Sequence, residues 1–96
     1  MTDTIKLITD KCDRINNSRT MNSVACHLEE EMYELQEEIA KMVCCQEQGT
    51  DGVIGEAVDV LICAIDLSKI WDKDLTREKI RQIVINKLDK WERLYG

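Results

Sequence analysis

A chain of 96 residues with 44% hydrophobic content fits one compact domain, residues 1–96, with a modest core, and pairing with a second copy is a natural way for so short a chain to gain burial. There is no Pro or Phe and only four Gly, while Glu, Lys, Leu and Ile abound; this argues against a sheet, which needs frequent turn residues, and predicts an all-α protein. A formal charge of −6, from 19 acidic and 13 basic residues, argues against a partner that is a nucleic acid polymer, because phosphate backbones repel such a surface.

The first predicted helix, about Thr4 to Asn16, places Ile5, Ile8, Cys12 and Ile15 at steps of three and four. It stops at Asn16-Asn17-Ser18, whose side chains compete for backbone hydrogen bonds. The second, about Asn22 to Gln48, carries an apolar seam of Ala25, Leu28, Met32, Leu35, Ile39 and Met42. A turn is expected at Gly49-Thr50-Asp51-Gly52. The third helix, about Val53 to Trp71, is apolar on nearly every side, which predicts a central position. After Asp72-Lys73-Asp74, either Asp74 or Thr76 can cap a fourth helix running to about Leu94, with Ile80, Ile83, Val84, Leu88 and Trp91 on one face.

The five cysteines show neither zinc-type C-x-x-C pairs nor a regular disulfide spacing and read as reduced thiols. No secretory signal is evident near Asp3 and Asp10, and no segment reaches the roughly 18 to 20 apolar residues of a membrane span. A cytoplasmic protein with no membrane partner is the expectation.

The acidic residues are informative where they interrupt apolar faces. Glu31 and Glu34 lie with His27 and Glu38 on a stripe beside the apolar seam of the second helix, where like charges incur both repulsion and desolvation. Glu56 and Asp59 repeat the i, i+3 spacing at the start of a helix that offers no polar face to hold them. A short connection makes these two helices antiparallel neighbours, so the two pairs can converge. Four oxygen donors without His or Cys suit a hard cation: Mg²⁺ first, Mn²⁺ as a substitute and Ca²⁺ less well. The competing reading is a solvated acidic face.

The run Leu28-Glu29-Glu30-Glu31-Met32-Tyr33-Glu34-Leu35, followed by Gly55-Glu56-Ala57-Val58-Asp59-Val60-Leu61, resembles the E-E-x-x-E … E-x-x-D signature of the MazG-like all-α nucleotide pyrophosphohydrolases. The resemblance covers about residues 28 to 67. It implies a four-helix, bundle-like subunit that assembles as a homodimer or homotetramer. It also implies that Glu31, Glu34, Glu56 and Asp59 hold Mg²⁺ and act in catalysis, with Glu30 matching the first acidic position. The implied reaction cleaves a nucleoside triphosphate between its α- and β-phosphates, releasing a monophosphate and pyrophosphate.

Lys87 sits in the middle of the apolar face of the fourth helix, where an ammonium needs a partner or must snorkel to the edge. Lys87-Leu88-Asp89-Lys90 is similar to the stretch whose basic residues meet substrate phosphates in MazG-like proteins, so Lys87 and Lys90 are expected phosphate contacts. Trp91 departs from the further basic residue often found there. Phosphoribosyl-ATP pyrophosphohydrolase shares both acidic motifs and is the alternative enzyme, although Val60-Leu61-Ile62-Cys63 lacks the aromatic pair sought after Asp59. A non-catalytic helical interaction module is the alternative outside the enzyme class. His27, Trp71 and Trp91 are read as packing residues, and no thiol chemistry is assigned to Cys63 or Cys44-Cys45.

Overall fold

A computed structural model describes residues 3–15, 19–45 and 52–96, and these form four α-helices with no strand among them. The helices are α1 (Thr4–Ile15), α2 (Met21–Cys45), α3 (Gly52–Trp71) and α4 (Arg77–Tyr95). Asn16-Asn17-Ser18 and most of the expected Gly49–Gly52 turn lie outside the described residues.

Each visible helix start has a local cause. Asp3 Oδ1 accepts from the Ile5 N–H at 2.9 Å, occupying an orphan donor of the first turn of α1. Thr20 and Ser23 cap α2 reciprocally: each backbone N–H donates to the other's hydroxyl at 3.1 Å. Gly52 opens α3 at φ 70, a left-handed value that a side chain would strain. Thr76, rather than Asp74, caps α4 by accepting from the Lys79 N–H at 3.2 Å. Asp74 instead donates its own N–H to Asp72 Oδ1 in the preceding turn.

Helices α2 and α3 pack against each other as an antiparallel pair, with His27 opposite Cys63 and Glu31 nearer the start of α3. Ile8 and Cys12 of α1 join Ile65 of α3 in a small core, and Ile80 from the first turns of α4 packs against it. The Arg19 guanidinium grips the buried Asp66 carboxylate with two bonds, of 2.5 and 2.8 Å, tying the chain before α2 to α3. Lys69 bridges to Asp13 and to the Leu75 carbonyl, both at 3.1 Å, and Arg81 pairs with Asp3.

Two expectations about packing are overturned. Among the described residues α4 contacts only α1 by backbone proximity, so it does not close a four-helix bundle within one chain. Trp71 and Trp91, read as packing residues, are 77% and 64% exposed. The apolar third helix is central only in part: Cys63 and Ile65 are buried, whereas Ile54, Val58 and Leu61 face outward.

The Arg19–Asp66 pair should be the most sensitive point of this framework. Arg19→Met strands a carboxylate that is only 8% exposed, and removing one partner of a buried pair costs about 3 kcal/mol. Thr76→Ala, which loses a single helix cap, should cost about 1 kcal/mol. Urea denaturation of both variants checks the order; a smaller loss for Arg19→Met would reduce the pair to an ordinary surface contact.

Candidate metal centre

The α2–α3 pairing turns the acidic stripe of α2 toward its neighbour. Val24 and Glu38 are buried and Leu28, Glu31 and Leu35 half-buried, whereas Met32, Ile39 and Met42 of the expected seam are each more than 40% exposed. At about 100° per residue the inward face is rotated by roughly 50° from that seam. Glu31 therefore points at α3, with its side chain only 16% exposed.

Opposite it stand Glu56 and Asp59, one turn apart on α3. One carboxylate oxygen from each of Glu31, Glu56 and Asp59 lies within 4.8 Å of the others. Three oxygens on one octahedral Mg²⁺ at about 2.1 Å stand about 3 Å apart when cis and about 4.2 Å apart when trans, so the carboxylates have to draw together to close on an ion. Glu34 is exposed and falls outside this trio, at the solvent side of Glu31. Lys87 and Lys90 line a groove built from α4 alone, and no α-carbon of α4 comes within 8 Å of one in α2 or α3 among the described residues. Within one chain the two lysines are thus not assembled with the carboxylates.

The electrostatics of Glu31 follow from this placement. Burial raises its pKa first; the charges of Glu34 and Asp59 and a hydrogen bond with Glu34 raise it further, while His27 acts in the opposite sense. Glu31 Oε2 is buried and accepts no hydrogen bond from any described group. A buried acceptor without a donor is costly, and a cation is the natural group to satisfy it. The hard oxygen set and this orphaned atom both fit a divalent ion of the Mg²⁺ type.

Two neighbouring features were not legible in the sequence. His27 Nε2 lies 3.3 Å from Glu31 Oε1 while its Nδ1 is 3.7 Å from Cys63 Sγ, so the ring spans the two helices. A base is therefore near Cys63 after all. Burial, followed by the charges of Glu31, Asp66 and Asp59, nevertheless pushes that thiol up, away from the thiolate a nucleophile requires. His27, Cys63, Arg19 and Asp66 also wall a largely apolar cavity of about 360 Å³ between α1 and α3, beside the carboxylates. Cys12 enters the same cavity, its pKa pushed up to about 11 by burial and then by Asp66. Only the i, i+4 spacing of His27 and Glu31 was visible beforehand.

The raised pKa of Glu31 has a defined sign. Its folded-state proton is held more tightly than in the unfolded chain, so its stabilising contribution is complete below the unfolded value near 4.5 and is lost as pH rises through the folded value. Thermal melts without divalent ions should show this loss, which Glu31→Gln should remove and millimolar Mg²⁺ should offset. A wild-type melting profile unchanged by either treatment would disprove the assignment.

Comparison with known proteins finds no matching family model, curated protein or solved structure, so function has to be read from these side chains themselves.

Proposed function

We propose that the chain is a Mg²⁺-dependent nucleoside triphosphate pyrophosphohydrolase of the cytoplasm, acting as a homodimer or homotetramer. The observation that carries this reading is the meeting of Glu31, Glu56 and Asp59 across the α2–α3 interface, with an orphaned acceptor on Glu31. It is supported by the resemblance of the two acidic runs to MazG-like enzymes. The chain has no helix, among the described residues, long and apolar enough to cross a membrane.

Glu31, Glu56 and Asp59 would hold the ion, with Glu34 approaching from the solvent side. Mn²⁺ would substitute, since it shares the oxygen preference and octahedral habit. The cation would screen the triphosphate charge and lower the pKa of an attacking water. His27, with Nε2 3.3 Å from Glu31 Oε1, would hold that carboxylate in place as a hydrogen-bonding outer partner does. The adjacent 360 Å³ cavity, walled by Leu7, Ile8, Ile15 and Ile62 with Arg19 and Asp66 at its polar edge, has the apolar character and size for a nucleobase. The resemblance assigns the phosphates to Lys87 and Lys90, which their own chain does not bring to the carboxylates.

A panel of canonical and deoxynucleoside triphosphates, with phosphoribosyl-ATP included, tests this directly. Pyrophosphate should appear with Mg²⁺ or Mn²⁺ and not after chelation. Groups that merely orient metal ligands are worth about 10–100-fold, so Glu56→Gln should lower the rate by at least about 100-fold with the helical content retained. Release that survives chelation, or Glu56→Gln at wild-type rate, would remove the proposal.

A further inference from the structure

A second pair of side chains faces across the α2–α3 interface one helical turn from the carboxylates. His27 stands four residues before Glu31 on α2, and Cys63 four residues after Asp59 on α3. Because the two helices run antiparallel, both steps lead the same way along the interface, and His27 meets Cys63 just beyond the place where Glu31 meets Glu56 and Asp59. The imidazole touches both levels: Nε2 lies 3.3 Å from Glu31 Oε1, and Nδ1 lies 3.7 Å from Cys63 Sγ.

Packing does not set the orientation of this ring. The His27 side chain is 56% exposed, so its neighbours enclose less than half of it. A ring so placed turns freely and exchanges between two neutral tautomers unless hydrogen bonds hold it. Cys63, at 5% exposure, is the fixed end of the contact.

The order of donors follows from the chemistry of the three groups. A Glu31 carboxylate that binds a cation is ionised and only accepts, so the Nε2 facing it must carry the proton. Nδ1 of the neutral ring is then an acceptor. Cys63 can supply the donor, because burial first, and then the charges of Glu31, Asp66 and Asp59, keep its sulfur protonated. The opposite tautomer would set a nitrogen lone pair against the carboxylate and leave Nδ1–H with sulfur, a weak acceptor.

We propose that Cys63 is a positioning residue of the ion site: its S–H donates to His27 Nδ1, fixes the ring as the Nε2–H tautomer, and through that proton holds Glu31 Oε1. Glu31 Oε2, the buried atom without a donor, is thereby left for the cation. The inference rests on Glu31 being a metal ligand and is independent of which substrate the ion meets. The thiol keeps its proton throughout, so no covalent or redox step is involved.

His27 is the single histidine of the chain, so its ring is read without ambiguity. Nitrogen-15 spectra of the Mg²⁺-saturated protein, above the pH at which the ring ceases to titrate, should show a protonated Nε2 and an accepting Nδ1. Cys63→Val should abolish that preference, and Cys63→Ser, which keeps a donor, should retain it. Mn²⁺ affinity, read from the electron paramagnetic resonance of the free ion, is the second measure. Outer partners of metal ligands are worth about 10–100-fold, and a weak S–H donor one bond further out should be worth about three- to tenfold. Cys63→Val should weaken Mn²⁺ binding by that factor, with Cys63→Ser close to wild type. Cys12→Val is the control, since that thiol is as deeply buried on the same cavity but neighbours Asp66 instead of His27. It should change neither measure.

A wild-type ring protonated at Nδ1 would overturn the proposal without any variant. So would a Cys63→Val protein with unchanged tautomer and Mn²⁺ affinity, or an equal loss of affinity in Cys12→Val. Wild-type protein that binds no Mn²⁺ would reject the metal reading of Glu31 and this role with it, whereas normal Mn²⁺ binding beside an unaltered Cys63→Val ring would reject this role alone.

Discussion

The packing of α2 on α3 places Glu31 against Glu56 and Asp59, and the remaining features of the molecule follow from that contact. Carboxylates at a helix interface lose hydration and, to a lesser extent, repel one another, which is why the pKa of Glu31 rises. An interface chosen only for burial would put Met32, Ile39 and Met42 inside, yet these are among the exposed residues. The helix is instead turned so that acidic and apolar groups share the inward face. Such an arrangement departs from local preference in the manner expected of a functional site, where stability is given up for placement.

The cost of that rotation appears elsewhere on the surface. Half of the α2 seam remains uncovered, and α4 continues as an amphipathic helix past the end of the surface that should hide it. Both features leave apolar area uncovered in a domain of a size that depends on burying most of it. Acidic α2 and basic α4 are the two elements with unmet surface, and they carry opposite charge.

Around the carboxylates, the protein supplies orientation rather than nucleophiles. His27 joins Glu31 to Cys63, and Arg19 joins Asp66 to the chain preceding α2. The nearby thiols are held protonated by burial and by the same negative charge that would hold a cation. This environment is suited to hard-ion and phosphate chemistry and unsuited to thiolate chemistry, which requires positive neighbours.

Residue pattern alone determined the helical class, the positions of the four helices to within a few residues and the candidate acidic pairs, because helical periodicity and capping are local properties. It also indicated that Glu31, Glu56 and Asp59 could meet, since short connections make successive helices neighbours. Tertiary structure decided which face of α2 turned inward, leaving Glu34 outside the trio, and it brought His27 to Cys63 and Arg19 to Asp66. It also decided that α4 extends away from α2 and α3, which separates Lys87 and Lys90 from the carboxylates of their own chain. Those outcomes depend on the rotation and length of helices relative to one another, set by the summed packing of distant residues, and no local spacing encodes that sum.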